Sequence, residues 1–194
     1  MSGPDTDALD GADMARLAGG HDAALNDLME RHAAPVFHFL CRMLGNEDDA
    51  NDLAQETFVR VFQNSTRFRP DAKFSTWLFT IAANLARNQL RTRRRRPHLS
   101  LDAPSDVTQQ TLGDTLVSDQ PAPGDGLLAG ERAAAVRAAL GKLPEEMRET
   151  IMLVEFEDKS VAETAAILDV PHKTVESRLH RARKSLRERL AKWL

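Results

Sequence analysis

The chain has one cysteine and no tyrosine among its 194 residues. A lone Cys41 excludes an internal disulfide and supplies too few thiolates for a cysteine-based zinc site. No apolar run approaches the roughly 18 residues of a membrane span, and the N-terminal stretch is acidic and Gly-containing rather than a basic and apolar signal. We therefore expect a cytoplasmic protein with no membrane insertion. The 6 His include no clustered acid, base and nucleophile with the single Cys, so an enzyme is not expected and no cofactor is implied. His32, His38 and Cys41 lie close in sequence, but with no carboxylate or second Cys at ligand spacing they make no metal site. Strand signals are nearly absent.

What remains is rich in helix formers. Ala, Leu, Arg and Glu dominate, and 42% of residues are hydrophobic, which predicts an all-α fold with real cores. The net charge of −3 conceals an alternation of blocks. Counted from the sequence, residues 1–66 carry −8, 67–96 carry +8, 97–130 carry −5, 131–170 carry −4 and 171–194 carry +6. Local fields decide nucleic-acid binding, so the two basic blocks count for more than the total.

The organisation follows from these blocks. Residues 1–20 lack sustained periodicity and read as a mobile tail. Residues 21–96 form a first helical unit, in which Pro35 is expected to interrupt one helix and begin another, Gly45 to cap the end and Asn46 to cap the next start. Residues 97–130 contain four Pro and five Asp and no Lys or Arg, which is the composition of a linker. As a free coil its ends average ~30 Å apart; fully stretched it reaches ~110 Å. Residues 131–194 form a second helical unit. The fold is thus two small helical domains joined by a flexible acidic linker.

Three surfaces carry chemistry. On the helix after Asn46, Asp48, Asp49, Asp52, Gln55 and Glu56 form an acidic face, either solvated or built to dock a basic protein partner. The next stretch combines rings and cations, Arg67, Phe68, Arg69, Lys73 and Phe74, and then enters a helix with Ser75 expected as its N-cap. Asn84, Arg87, Asn88 and Arg91 lie on the outer side of that helix. Stacking is worth ~1 to 3 kcal/mol per base and Asn can satisfy a base edge, so the pattern suits unpaired nucleic acid, although rings at helical spacing are also core.

In the second unit, Ser160 caps a short helix, Asp169 and Val170 form a turn, and Pro171 begins a longer helix. Val161, Ala165, Leu168, Val170, Val175 and Leu179 have the spacing of a helix-turn-helix. Its outer face presents Lys173, Thr174, Ser177, Arg178, His180, Arg181 and Lys184, the side chains of a major-groove reader. Glu176, an acid among them, either accepts from a cytosine amine or pairs with Lys173 or His180.

The runs DLAQETFVRVF, FSTWLFTIAANLARNQL, LPEEMRETIMLVEFEDKS and KTVESRLHRAR, in this order and spacing, resemble the extracytoplasmic-function sigma factors of bacteria. The likeness extends from Ala24 to Leu190. It implies that Asp48, Asp49, Asp52, Gln55 and Glu56 dock on the coiled coil of the polymerase β′ subunit. It also implies that the loop holding Arg67, Phe68, Arg69, Lys73 and Phe74 captures a base flipped from the minus-10 element, beside a strand-binding face of Asn84, Arg87, Asn88 and Arg91. The helix with Lys173 to Lys184 would read the minus-35 element. The linker would pass through the polymerase, whose β and β′ subunits are the implied protein partners with promoter DNA and an anti-sigma factor. Many relatives have a basic residue where Glu176 stands, so promoter preference does not transfer. A stand-alone helix-turn-helix regulator of duplex DNA is the competing class, and it leaves the stretch from Arg67 to Arg96 without a task.

Two promoter elements about 25 base pairs apart are separated by ~85 Å along duplex DNA, beyond the relaxed reach of a 34-residue coil and within its stretched reach. Binding to polymerase is expected to spread the two units.

Overall fold

A computed structural model of the protein describes residues 4–95 and 125–193. Among them are eight α-helices and no strand. The first unit comprises α1 (Pro4–Ala18), α2 (Ala24–Leu44), α3 (Glu47–Gln63) and α4 (Phe74–Arg95), with a 3₁₀ turn at Ser65–Arg67. The second comprises α5 (Asp125–Gly141), α6 (Glu145–Ile151) running on into a π-turn at Met152–Phe156, α7 (Val161–Leu168) and α8 (His172–Arg189).

The caps behave as local chemistry predicts. Gly45 takes the left-handed conformation at φ 67° and its N–H bonds the Cys41 carbonyl. The Asp49 N–H donates to Asn46 Oδ1 at 2.8 Å, and Glu47, Asp48 and Asp49 place negative charge on the first turn of α3. Apolar stripes then close the core of the first unit: Leu28, Val36, Phe39, Leu40, Met43, Ala50, Phe58, Val61, Leu78, Phe79 and Ala82 are all buried. The Cys41 thiol is buried there too, and burial pushes its pKa up to about 11, so it acts as packing.

Four sequence expectations are corrected. Residues 4–18 are helix α1 rather than a tail, with Met14 and Leu17 in the core. Its buried positions include Asp10 and Asp13, which is why hydrophobic periodicity misses it. Arg31 Nε donates to Asp10 Oδ1 at 2.9 Å and its Nη2 to Asp13 Oδ2 at 2.5 Å, and His32 Nε2 lies 2.8 Å from Asp10 Oδ2. Pro35 lies inside a continuous α2. A proline forfeits one backbone bond, and the buried stripe on both sides, Leu28 and His32 before and Val36 and Phe39 after, holds the helix through it. Ser75 is buried within the first turn of α4 rather than at its cap, because the helix begins at Phe74. Finally, α5 begins at Asp125, inside the stretch expected to be linker. The rest of that linker, 97–124, lies outside the described residues.

The two units pack together. Helix α7 lies against α4, and the π-turn lies against α2. One continuous apolar cluster joins Phe79 and Ala83 of the first unit to Leu153, Ile167 and Leu168 of the second.

Candidate nucleic-acid interface

The three surfaces can be built up from these helices. On α3, Ala50, Ala54, Thr57, Phe58 and Val61 turn inward, which leaves Asp48, Asp52 and Gln55 exposed. The other two acids have intramolecular partners. Asp49 accepts from Gln89 Nε2 at 3.3 Å and pairs with Arg93, which also donates to the Leu44 carbonyl at the end of α2. Glu56 is bound by Arg60 one turn on, at 2.5 Å. The exposed row continues beyond the acids: Val59 is 50% and Phe62 43% exposed. At steps of three and four, Asp48, Asp52, Gln55, Val59 and Phe62 make one stripe, acidic at its start and apolar at its end. The sequence contained that spacing, but the apolar half was overlooked because rings at helical spacing are usually core.

The loop between α3 and α4 is braced from both sides. Phe68 N–H donates to the Ser65 carbonyl at 3.2 Å and Ala72 N–H to the Arg69 carbonyl at 2.9 Å. Phe74 is 2% exposed, edge-on to the His32 ring at 5.2 Å. It therefore supports the loop and offers no face to a base, a correction to its expected place in the minus-10 set. Phe68 is half-buried against Phe74 and Trp77, at 6.1 and 5.4 Å between ring centroids. Arg67 and Arg69 are exposed, and Arg69 pairs with Asp71 at 3.1 Å. Lys73 bridges Asp7 of α1 at 3.3 Å and Glu163 of α7 at 3.0 Å.

On α4 the polar residues work in pairs one turn apart. Arg87 Nη2 donates to Asn84 Oδ1 at 2.6 Å, and Arg91 Nη2 to Asn88 Oδ1 at 2.9 Å. Asn84, Asn88 and Arg91 are exposed; Arg87 is half-buried, with its Nε 3.7 Å from Glu149 Oε2. Each pair presents a cation and an amide together, the donors that a strand's phosphates and base edges require.

The helix-turn-helix begins at a complete capping box. Glu163 N–H donates to Ser160 Oγ at 3.1 Å, while Glu163 Oε2 accepts from the Ser160 N–H at 2.9 Å. Burial works against the Glu163 carboxylate, yet the Ser160 hydrogen bonds and Lys73 hold its pKa down at about 2. Asp169 turns the chain in the left-handed region at φ 54°, and α8 follows Pro171. Val175, Leu179 and Ala182 face inward, leaving Lys173, Ser177, His180, Arg181 and Lys184 exposed and Thr174 half-exposed.

Arg178 differs from its neighbours on α8. Its side chain is only 13% exposed, its Nη2 donates to Glu146 Oε2 at 3.0 Å and its Nη1 lies 3.8 Å from Glu149 Oε1. It ties α8 to α6 and is not free to reach a phosphate. Its acidic partners stand some thirty positions away, which no helical period reveals.

Among known proteins, residues 28–96 match the model of Sigma-70 region 2 and residues 133–186 that of Sigma-70, region 4. The ECF RNA polymerase sigma factor SigW of Bacillus subtilis is 35% identical over 88% of this chain and 91% of its own. The RNA polymerase sigma-H factor of Pseudomonas aeruginosa is 33% identical, over 88% of each chain. The solved structure of CnrH with the cytosolic domain of CnrY superposes with a TM-score of 0.68 at 27% identity, covering 95% of this chain and 98% of that one. The sigma factor RpoE of Bartonella quintana, bound to the anti-sigma factor NepR, gives 0.66 at 26% identity, covering 86% and 96%. An acidic α3, a basic α4 and a capped helix-turn-helix follow one another in the order of those two sigma regions, and the chain belongs to the extracytoplasmic-function sigma factors of bacterial RNA polymerase.

Proposed function

We propose that the α3 stripe docks on core RNA polymerase, that the face of Asn84, Arg87, Asn88 and Arg91 with the Phe68 loop holds the melted minus-10 strand, and that α8 reads the minus-35 duplex. The protein is a dissociable initiation subunit that acts in the cytoplasm and catalyses no reaction itself. The observation that carries this is the succession of faces on adjacent helices, an acidic and apolar stripe on α3 beside paired Asn and Arg on α4. An acidic helix next to a strand-binding helix would repel DNA if it stood bare; a basic partner over it removes the conflict. Val59 and Phe62 extend the docking stripe with exposed apolar surface, and the Phe62 ring is of the aromatic kind enriched at interfaces. CnrH and RpoE were solved with the cytosolic domain of CnrY and with NepR, and we assign this chain a protein antagonist of the same kind.

The test is run-off transcription by core polymerase, with and without this chain, on a randomised promoter pool. The chain should select a subset of start sites. Asp52→Arg and Phe62→Ala should each weaken co-purification with core enzyme while leaving the fold intact, and Asn84→Ala should reduce initiation with polymerase binding unchanged. Start sites that do not depend on the chain would overturn the reading. A regulator that acts on duplex DNA without polymerase would bind its sites equally well in the absence of core enzyme.

A further inference from the structure

The outward side of α8 carries one acid among its cations. Glu176 stands in the second turn of the helix and is exposed, as are Lys173, His180, Arg181 and Lys184 around it. Other acids of the second unit are spent on the flanks of α8. Arg178 is held by Glu146 of α6 at 3.0 Å, and Arg183, two turns on from Glu176 along the same side, is held by Glu155 of the π-turn at 2.5 Å. Lys173, three positions before Glu176, and His180, four positions after it, lie at the helical spacings that favour ion pairs. Among the described residues Glu176 pairs with neither of them.

A free carboxylate at this place is costly unless the duplex uses it. Phosphates line both sides of a helix laid in the major groove, and an acid pressed between them without a partner weakens binding to every sequence alike. A carboxylate only accepts hydrogen bonds. The groove offers it two donors, the N4 amine of cytosine and the N6 amine of adenine. Adenine carries its N7 acceptor beside that amine, where it meets the second carboxylate oxygen, and so suits the mixed donor and acceptor of Asn or Gln. Cytosine presents no acceptor of its own in the groove. The guanine across the pair offers O6 and N7 to a cation, and Lys173 and His180 stand one turn to either side of Glu176.

We propose that Glu176 is a specificity-determining residue, whose carboxylate accepts from the N4 amine of one cytosine in the upstream promoter element and so selects a C·G pair at that position. This rests on the assignment of α8 to the minus-35 duplex. The preference comes from rejection as much as from attraction. Guanine turns O6 and N7 toward the acid, thymine O4 and adenine N7, so each wrong base sets the carboxylate against an acceptor.

The experiment compares the full chain with Glu176→Gln and Glu176→Ala. Glu176 is exposed, so neither substitution disturbs the packing of α8. Each chain is loaded on core polymerase with a pool of promoter duplexes randomised over both elements, and the duplexes retained are sequenced. With the unaltered chain one upstream position should favour cytosine over each other base by roughly five-fold or more, the lower end for a good base contact. Glu176→Gln should move that position alone to adenine, because an amide pairs with N6 and N7 together. Glu176→Ala should make the position indifferent while its neighbours keep their preferences. An upstream motif that is the same in all three chains overturns the proposal. So does a loss of preference at every upstream position in Glu176→Ala, since the residue would then support the helix rather than read a base. Arg181→Ala judges α8 separately: an upstream motif that changes in that variant and in neither Glu176 variant leaves α8 as the upstream reader without this role for Glu176, and no upstream motif in the unaltered chain removes both.

Discussion

The Glu163 carboxylate accepts two hydrogen bonds from Ser160, from its N–H at 2.9 Å and its hydroxyl at 2.7 Å, while its other oxygen faces Lys73 of the first unit at 3.0 Å. One side chain thereby starts the helix-turn-helix and joins the two units. The two roles separate by substitution. Ser160→Ala removes the cap and should lower the stability of the second unit by about 1 kcal/mol. Glu163→Gln should cost less than Ser160→Ala, since the amide oxygen still accepts from the backbone. Urea unfolding followed through Trp193, with Trp77 reporting the first unit, measures both; a larger loss in Glu163→Gln than in Ser160→Ala would mean that the ion pair, not the cap, matters most.

Buried ion networks penalise the loss of one partner far more than they reward the pair. Asp10 is fully buried and engages both Arg31 and His32. Asp10→Ala should therefore destabilise the first unit by roughly 3 to 5 kcal/mol, as the buried His32 ring loses its partner and Arg31 keeps only Asp13. A loss within half a kcal/mol in denaturant titration would show that α1 is not docked on α2 in solution.

Phe74 and Phe68 lie in one ring cluster and should fail differently. Phe74 is core, so Phe74→Ala should cost about 3 to 5 kcal/mol of stability. Phe68 is half-buried on Trp77. Phe68→Ala should cost less stability and more of the single-strand affinity, given ~1 to 3 kcal/mol for a stacked base. Thermal unfolding together with strand binding by the holoenzyme separates them. If Phe68→Ala leaves strand binding untouched, its ring supports the loop in the same way as Phe74.

What the sequence made legible was local. Asn46, Gly45, Ser160 and the Asp169 turn act within a few residues, so their chemistry is written beside them. The α8 face with Lys173, Ser177, His180, Arg181 and Lys184 followed from period alone. Features set by distant partners were not visible. Helix α1 is held through Asp10 and Asp13 by Arg31 and His32, around twenty residues on, and acids at inward positions look like a solvated tail. The start of α4 moved back to Phe74 because that ring must be buried. Arg178 looked like a phosphate contact until folding placed Glu146 and Glu149 against it, from a helix some thirty positions back.

Glu149 and Glu157, both in the second unit and facing Arg87 and Arg42 of the first, give the fold a pH dependence of defined sign. Burial first, opposed by Arg87 and Arg178, raises the Glu149 carboxyl to about 7; Glu145 and Glu146 on its own helix push the same way as burial. Burial likewise raises Glu157 to about 7 against Arg42 and Lys159. In the unfolded chain both return to about 4.5. A carboxyl raised by folding binds its proton more tightly in the folded state, so its contribution is fully present below about 4.5 and is lost as pH rises through about 7. Glu163 has the opposite sign: with its pKa at about 2 it stabilises above about 4.5 and loses that contribution only as pH falls toward 2. Between these limits the two buried carboxyls act without opposition from it. The melting temperature should rise as pH is lowered from about 8 to about 5, and Glu149→Gln with Glu157→Gln should flatten the rise by removing both titrations. A melting temperature that falls over this range, or a rise that survives in the double variant, would place the titrating groups elsewhere.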